Sequence, residues 1–115
     1  VAEKADEPRG FVSAIEAKKS YSEVFEPHLN SGFNIALDVL GKKIDSFEFA
    51  DMISKHSTIN FYIGGAFGFE KEFLNKCDKK ISLSDLTMAH KIANIMLLEQ
   101  VFRSLCIINN HPYHK

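Results

Sequence analysis

Short apolar runs that alternate with helical periodicity constrain this chain most. "FNIALDV" (33–39), "TINFYI" (58–63) and "KISLS" (80–84) are each too short for a helix, and the first two are filled with β-branched and aromatic residues. Runs of this kind fold as strands, and strands apolar on both sides must be covered on both sides. Between them the pattern changes to the 3.6-residue period. In "FVSAIEAKKSYSEVFEPHL", Val12, Ile15, Lys19, Tyr21, Val24 and Phe25 fit one stripe, and Pro27 helps to stop the helix. "SFEFADMISKH" reads as a second helix, capped by Asp45 or Ser46, with Phe47, Ala50, Met52 and Ile53 inward. A third helix is expected over 70–77. The fourth and longest spans "AHKIANIMLLEQVFRSLCI".

The order α, β, α, β, α, β, α implies an α/β fold with a parallel sheet between helical layers. Residues 1–11 read as loop or tail, and residues 105–115 as a C-terminal tail. Only three strands are visible, few for such a sheet. A further βαβ portion, which needs roughly 30 residues, is expected upstream and is missing here. The last helix is apolar around most of its girth: Ile92, Ile95, Met96, Leu97 or Leu98, Val101, Phe102 and Leu105. A helix of that kind is deeply buried or shared with a second subunit.

A chain of 115 residues fits a single domain. Its formal net charge of −1 carries no bulk signal for nucleic acid, so any RNA contact needs a local basic patch. Cys77 and Cys106 match no metal-ligand spacing, and no run of the sequence reaches the length of a membrane span. No secretory signal is visible at the start. These features point to a soluble cytoplasmic protein with free thiols.

Parallel sheets bind ligands beyond the carboxyl ends of their strands, which directs attention to three loops. "IGGAFG" places Gly64, Gly65 and Gly68 between a strand and a helix, where backbone amides can approach a ligand; it is neither G-x-G-x-x-G nor a P-loop. The plain alternative is a tight strand–helix turn. "LSDLTMAH" (83–90) offers Ser84, Asp85 and Thr87 as helix caps or as ligand contacts. "ALDVLG" (36–41) closes the same edge. Elsewhere, Glu99 and Arg103 stand at i, i+4, an ordinary surface pair by default. His111 and His114 flank Pro112 and Tyr113; without a third ligand nearby they are a weak metal site, and no metal is expected.

Taken together, "FYIGGAFGF" (61–69), "ISLSDLTMAH" (81–90) and "LLEQVFRSLCIINNHPYHK" (97–115) resemble one family, the bacterial large-subunit rRNA pseudouridine methyltransferases (RlmH) of the SPOUT class. The resemblance covers the chain from about Ala14 to its end. It implies a SPOUT-type sheet with a C-terminal trefoil knot, and transfer of a methyl group from S-adenosyl-L-methionine to N3 of a pseudouridine. That base lies in helix 69 of 23S rRNA, within the assembled 70S ribosome. The implied assembly is a homodimer with its sites at the interface. Family members begin with a strand, a helix and another strand that are not seen here. By the same resemblance, Leu37, Asp38, Gly64, Gly65, Leu83, Ser84, Asp85, Leu86, Thr87, Met88 and Ala89 contact the cofactor. Arg103, His111, Tyr113 and His114 belong to a catalytic tail that closes over the site. A basic patch of Lys18, Lys19, Arg103, Lys115 and the tail histidines, assembled across the dimer, is expected to meet RNA.

Overall fold

The computed structural model describes residues 2–4, 14–64 and 68–114. Side-chain alternation along two central strands, β2 (Phe33–Lys43) and β3 (Ile59–Ile63), divides the core into two layers. Ala36 and Tyr62 point to one face, where they meet Ala17, Tyr21 and Phe25 of α1 (Ala14–Phe25) and Phe73 of α3 (Lys71–Lys76). Ile35, Phe61 and Ile63 point to the other, against Phe49 of α2 (Ser46–Ser54) and Leu97 of α4 (His90–Ile108). The first layer is aromatic. Tyr62 meets Phe25 and Phe73 edge-on at 5.3 Å each, and Phe69 stacks on Phe73 at 5.1 Å.

All strand pairs are parallel, as expected, and the sheet order is β1-β3-β2-β4, with β1 at Ala2–Lys4 and β4 at Lys79–Ser82. Strand β1 corrects the reading of residues 1–11 as loop or tail: Ala2 pairs with Phe61 and Lys4 with Ile63. A three-residue edge strand needs only one neighbour, so "AEK" carries no apolar run that would announce it. Residues 1 and 5–11 lie outside the described residues. The C-terminal boundary is corrected too. Helix α4 continues to Ile108, so the tail starts at Asn109 rather than at residue 105.

Strand β2 is longer than the sequence pattern implies and is interrupted. Leu37 and Lys42 both register with Ile81 of β4, so residues 38–41 arch away and return. Gly41 makes the return possible: a Cβ there would stand 2.8 Å from backbone atoms of Lys80 and Ile81.

Local chemistry sets the other boundaries. Helix α1 gives way to a 3-10 turn (Glu26–Asn30) with Pro27 in its first turn. Asp45 caps α2 by a reciprocal capping box with Glu48, its Oδ1 accepting from Glu48 N at 2.8 Å. Two inward assignments are corrected. Phe47 is 60% exposed and Val24 45%, because each helix buries a narrower stripe than the apolar pattern allows: Phe49 and Ala50 in α2, Ala17, Tyr21 and Phe25 in α1. Lys19 is exposed, and Val12 lies outside the described residues.

At the amino edge of the sheet, buried Asn34 ties four segments together. Its backbone N–H donates to Asp78 Oδ2 at 2.7 Å, and its Nδ2 to Leu29 O at 3.2 Å. Its Oδ1 accepts from the Tyr62 hydroxyl at 2.7 Å and from Asn60 Nδ2 at 3.1 Å. Asn34→Ala leaves that hydroxyl without its Asn34 acceptor in a low-dielectric layer and is expected to cost about 2–3 kcal/mol, read from urea unfolding; an unchanged midpoint would count against the network. Burial pushes the Cys77 thiol up to about 11, with Asp78 adding to the rise and Lys80 opposing it. Between about 9 and 11 the unfolded chain therefore loses a proton that the folded chain keeps, so stability falls as pH rises. The unfolding midpoint is expected to drop across that window in the wild type and to drop less in Cys77→Ala.

Candidate active site at the carboxyl edge of the sheet

Parallel strands deliver their carboxyl ends to one edge, and three of the four exits meet around a single cavity of about 310 Å³. From β2 come Leu37, Asp38 and Val39; from β3, Ile63 and Gly64; from β4, Ser82 and the loop that leads into α4. The first turn of α4 adds His90 and Ala93, and Gly68 and Phe69 close the side towards α3. The loop between β4 and α4 holds itself in shape. Ser82 Oγ donates to Ser84 O at 2.9 Å, and Ser84 Oγ accepts from Leu86 N at 3.0 Å. The residue that caps α4 is Ala89, which offers no side-chain cap, so the serines and Thr87 of this loop do not serve as N-cap there. Gly64 stands where a Cβ would meet the Phe69 ring at 3.1 Å, so a larger residue would press on the cavity wall.

Of the residues singled out by sequence, Leu37, Asp38, Gly64, Leu83, Ser84, Leu86, Thr87, Met88 and Ala89 line this cavity. Asp85 does not. Its carboxylate is exposed and pairs with Lys43 at 2.5 Å, joining the loop to the far side of the β2 arch. Gly65 lies outside the described residues. Sequence reasoning assigned no cofactor contact to Val39, Ile63, Phe69, Ser82, His90 or Ala93, although Val39 and His90 stand in motifs it quoted. Ile63 and Ser82 could have been found as the last residues of strands, and Ala93 as one helical turn beyond Ala89.

Arg103 organises a second group of side chains. Its Nε donates to Glu99 Oε1 at 2.7 Å, and its Nη1 lies 3.1 Å from His114 Nδ1. Its guanidinium covers the Tyr113 ring at 5.0 Å from the centroid. The hydrogen bond to Glu99 pushes the Arg103 pKa upward, against the opposing effect of burial, so the cation is secure. Tyr113 also meets Phe102 edge-on at 4.8 Å, and His114 meets Phe47 edge-on at 4.7 Å. His111 stands slightly apart: its N–H donates to Cys106 O at 2.8 Å, and its Nδ1 accepts from Tyr113 N at 3.2 Å. Asn110, with φ of 56°, makes the reversal that turns the tail back along α4.

Within one chain the tail and the cavity stand apart. Ala93 lines the cavity and Arg103 lies ten residues further along α4, about 15 Å at the helical rise. The cations of the basic patch expected across a dimer are also spread within one chain. Lys18 and Lys19 belong to α1 and Arg103 to α4, on opposite faces of the sheet, and Lys115 lies outside the described residues. Among the described residues no three His, Cys, Asp or Glu side chains gather as a metal site, and no helix is long and apolar enough to cross a membrane.

The model of one protein family, described as "Predicted SPOUT methyltransferase", matches residues 3–114. A protein of Aliarcobacter butzleri (strain RM4018) named "Ribosomal RNA large subunit methyltransferase H" is 63% identical over 100 residues, covering 87% of this chain and 66% of that protein. Proteins with the same name from a Sulfurovum species and a Nitratiruptor species are 51% and 56% identical, over 90% and 89% of this chain and 68% and 67% of their own lengths. The chain thus spans about two thirds of the length of these relatives.

Glu99→Gln keeps the shape of the pair but removes its charge. Loss of this anchor is expected to loosen Arg103 and speed amide hydrogen exchange at His111 and Tyr113, with no change at Gly64. Equal exchange in both proteins would show that the tail is held by its ring contacts alone.

Proposed function

Since this chain belongs to the SPOUT methyltransferase family, we propose that it carries the catalytic part of an rRNA methyltransferase that uses S-adenosyl-L-methionine. The target of this reading is N3 of a pseudouridine in helix 69 of 23S rRNA, on assembled 70S ribosomes in the cytoplasm. The supporting observation is the cavity at three converging strand exits. Apolar side chains of Leu37, Ile63, Leu86 and Met88 suit an adenine ring, backbone groups of 83–89 suit its polar edge, and Gly64 keeps the wall thin. These residues fit the cofactor, which supplies an electrophilic methyl group when bound. The return of β2 to Ile81 after residues 38–41 is compatible with the trefoil knot of the family reading.

N3 of the target base carries a proton that must leave, and the base then bears negative charge shared with its oxygens. Arg103 is a permanent cation without an acceptor, and in this role it steadies that charge. Because an arginine only donates, His114 Nδ1 accepts, and a neutral His114 therefore carries its proton on Nε2. His111 Nδ1 accepts from the Tyr113 amide, with the same consequence. In this arrangement both rings offer Nε2–H as a donor. Either can help to hold the anion as it stands; accepting the N3 proton requires one of these Nδ1 contacts to open first.

A homodimer brings the separated halves together. Ile92, Ile95, Leu98, Phe102 and Leu105 line one side of α4 and are 48–63% exposed, while Leu97 and Ser104 on the other side are buried. If two copies pack their α4 helices antiparallel about a twofold axis near Leu98, the Arg103 of one copy falls opposite Ala93 of the other. The tail of one chain then meets the cavity of its partner.

Labelled S-adenosylmethionine is expected to deliver its methyl group to ribosomes lacking the modification, at a helix 69 pseudouridine, and not to free rRNA. Ile95→Glu should yield a monomer by sedimentation that still binds cofactor but has lost at least about 100-fold in transfer, the scale of displacing positioned groups. Cofactor binding with no label on ribosomes would overturn the reading.

A further inference from the structure

A second concave surface lies on the other side of the β2 arch, between α2 and the edge strand β4, with a volume of about 560 Å³. Four lysines line it, and their pairing differs. Lys55 is bound to Asp51 at 2.9 Å, and the other carboxylate of the groove, Glu48, turns to the Asp45 amide. Lys42, Lys79 and Lys80 are exposed, and none has a carboxylate within 4.0 Å among the described residues.

Register puts these cations on three successive rows of the edge strand: Lys79 with Ile35, Lys80 with Ala36, and Lys42 with Ile81. Lys79 and Lys42 stand on rows that face α2, and Lys80, on the row between them, alternates to the other side of the strand and lines the groove from its edge. At the strand rise those rows span roughly 7 Å. Three like charges so close repel one another in the protein alone, and an anion with charge repeated along its length relieves that repulsion. At the other end of the groove the Phe33 and His56 rings stack 3.7 Å apart, which adds an aromatic wall.

We propose that this groove is a docking surface for the phosphate backbone of RNA, separate from the cavity at the strand exits. The proposal rests on the reading of the protein as acting on rRNA. It also addresses how a chain of net charge −1 holds a polyanion: positive charge is gathered at one edge. An acidic protein segment could pair with the same lysines. Unpaired cations at successive rows beside an aromatic wall favour RNA, whose phosphates recur along a flexible strand and whose bases stack.

The test compares wild type with the triple variant K42Q/K79Q/K80Q, measuring binding to protein-free 23S rRNA and to ribosomes over a salt series. Each lost phosphate contact lowers the slope of log affinity against log salt by about 0.7–0.9. The variant slope should therefore fall by about two on both targets, with cofactor affinity unchanged because none of the three lysines lines the cofactor cavity. Equal slopes for variant and wild type on rRNA overturn the proposal and assign the lysines to guarding the strand edge. Weakened binding to ribosomes alone also overturns it, in favour of a ribosomal protein as partner. Methyl transfer on the same preparations separates the two readings. A wild type that methylates ribosomes beside a variant with unchanged binding loses the groove and keeps the enzyme. One that binds rRNA through these lysines but transfers no methyl group loses the enzyme and keeps the groove.

Discussion

Ile81 is paired twice by the same strand, first with Leu37 and then with Lys42, and much of the molecule follows from that double pairing. Holding both arms of β2 against one residue of β4 forces residues 38–41 outward. This puts Asp38 and Val39 on the cavity wall and turns Lys42 to the opposite groove. The close approach is possible only because Gly41 has no side chain. The Lys43–Asp85 pair continues the same contact into the loop before α4. At that exposure the pair contributes little stability of its own, but it joins the end of β2 to the loop before α4.

Helix α4 is the second organising element, because it is apolar on two sides. One side, with Leu97 and Val101, packs under the sheet. The other carries Ile92, Ile95, Leu98, Phe102 and Leu105 into solvent. Its first turn belongs to the cavity, and its last turns carry Arg103 and the reversed tail. One helix thus connects ligand chemistry to charge chemistry, at a separation a single chain does not close.

Much of this could be read from the residues, for definable reasons. The runs at 33–39 and 58–63 are apolar at successive positions, and only a doubly covered strand satisfies that. Asp45 and Glu48 stand at capping-box spacing, so the start of α2 could be placed. Strand β1 was invisible because pairing through backbone alone leaves no mark on side chains. Phe47 misled because periodicity shows which residues share a side of a helix, not how much of that side is covered. The loop 83–89 was legible as a strand exit and lines the cavity, whereas the Asp85 carboxylate turning to Lys43 depends on the β2 arch, which no local pattern encodes. The separation of tail from cavity follows from the uninterrupted course of α4 to Ile108, whose last turn also read as tail.

The strand order has a consequence for biosynthesis. The outer neighbour of β2 is β4, which comes after β3 and α3 in the chain. While the chain is being made, β2 therefore emerges with both hydrogen-bonding edges bare; β3 covers one, and the other stays bare until Lys79–Ser82 emerges. The cavity lacks its β4 wall for just as long. A nascent chain of this protein can neither complete the cavity nor cover its central strand until synthesis has passed β4, and an unpaired central edge of that kind is open to pairing with other chains for as long as it stays bare.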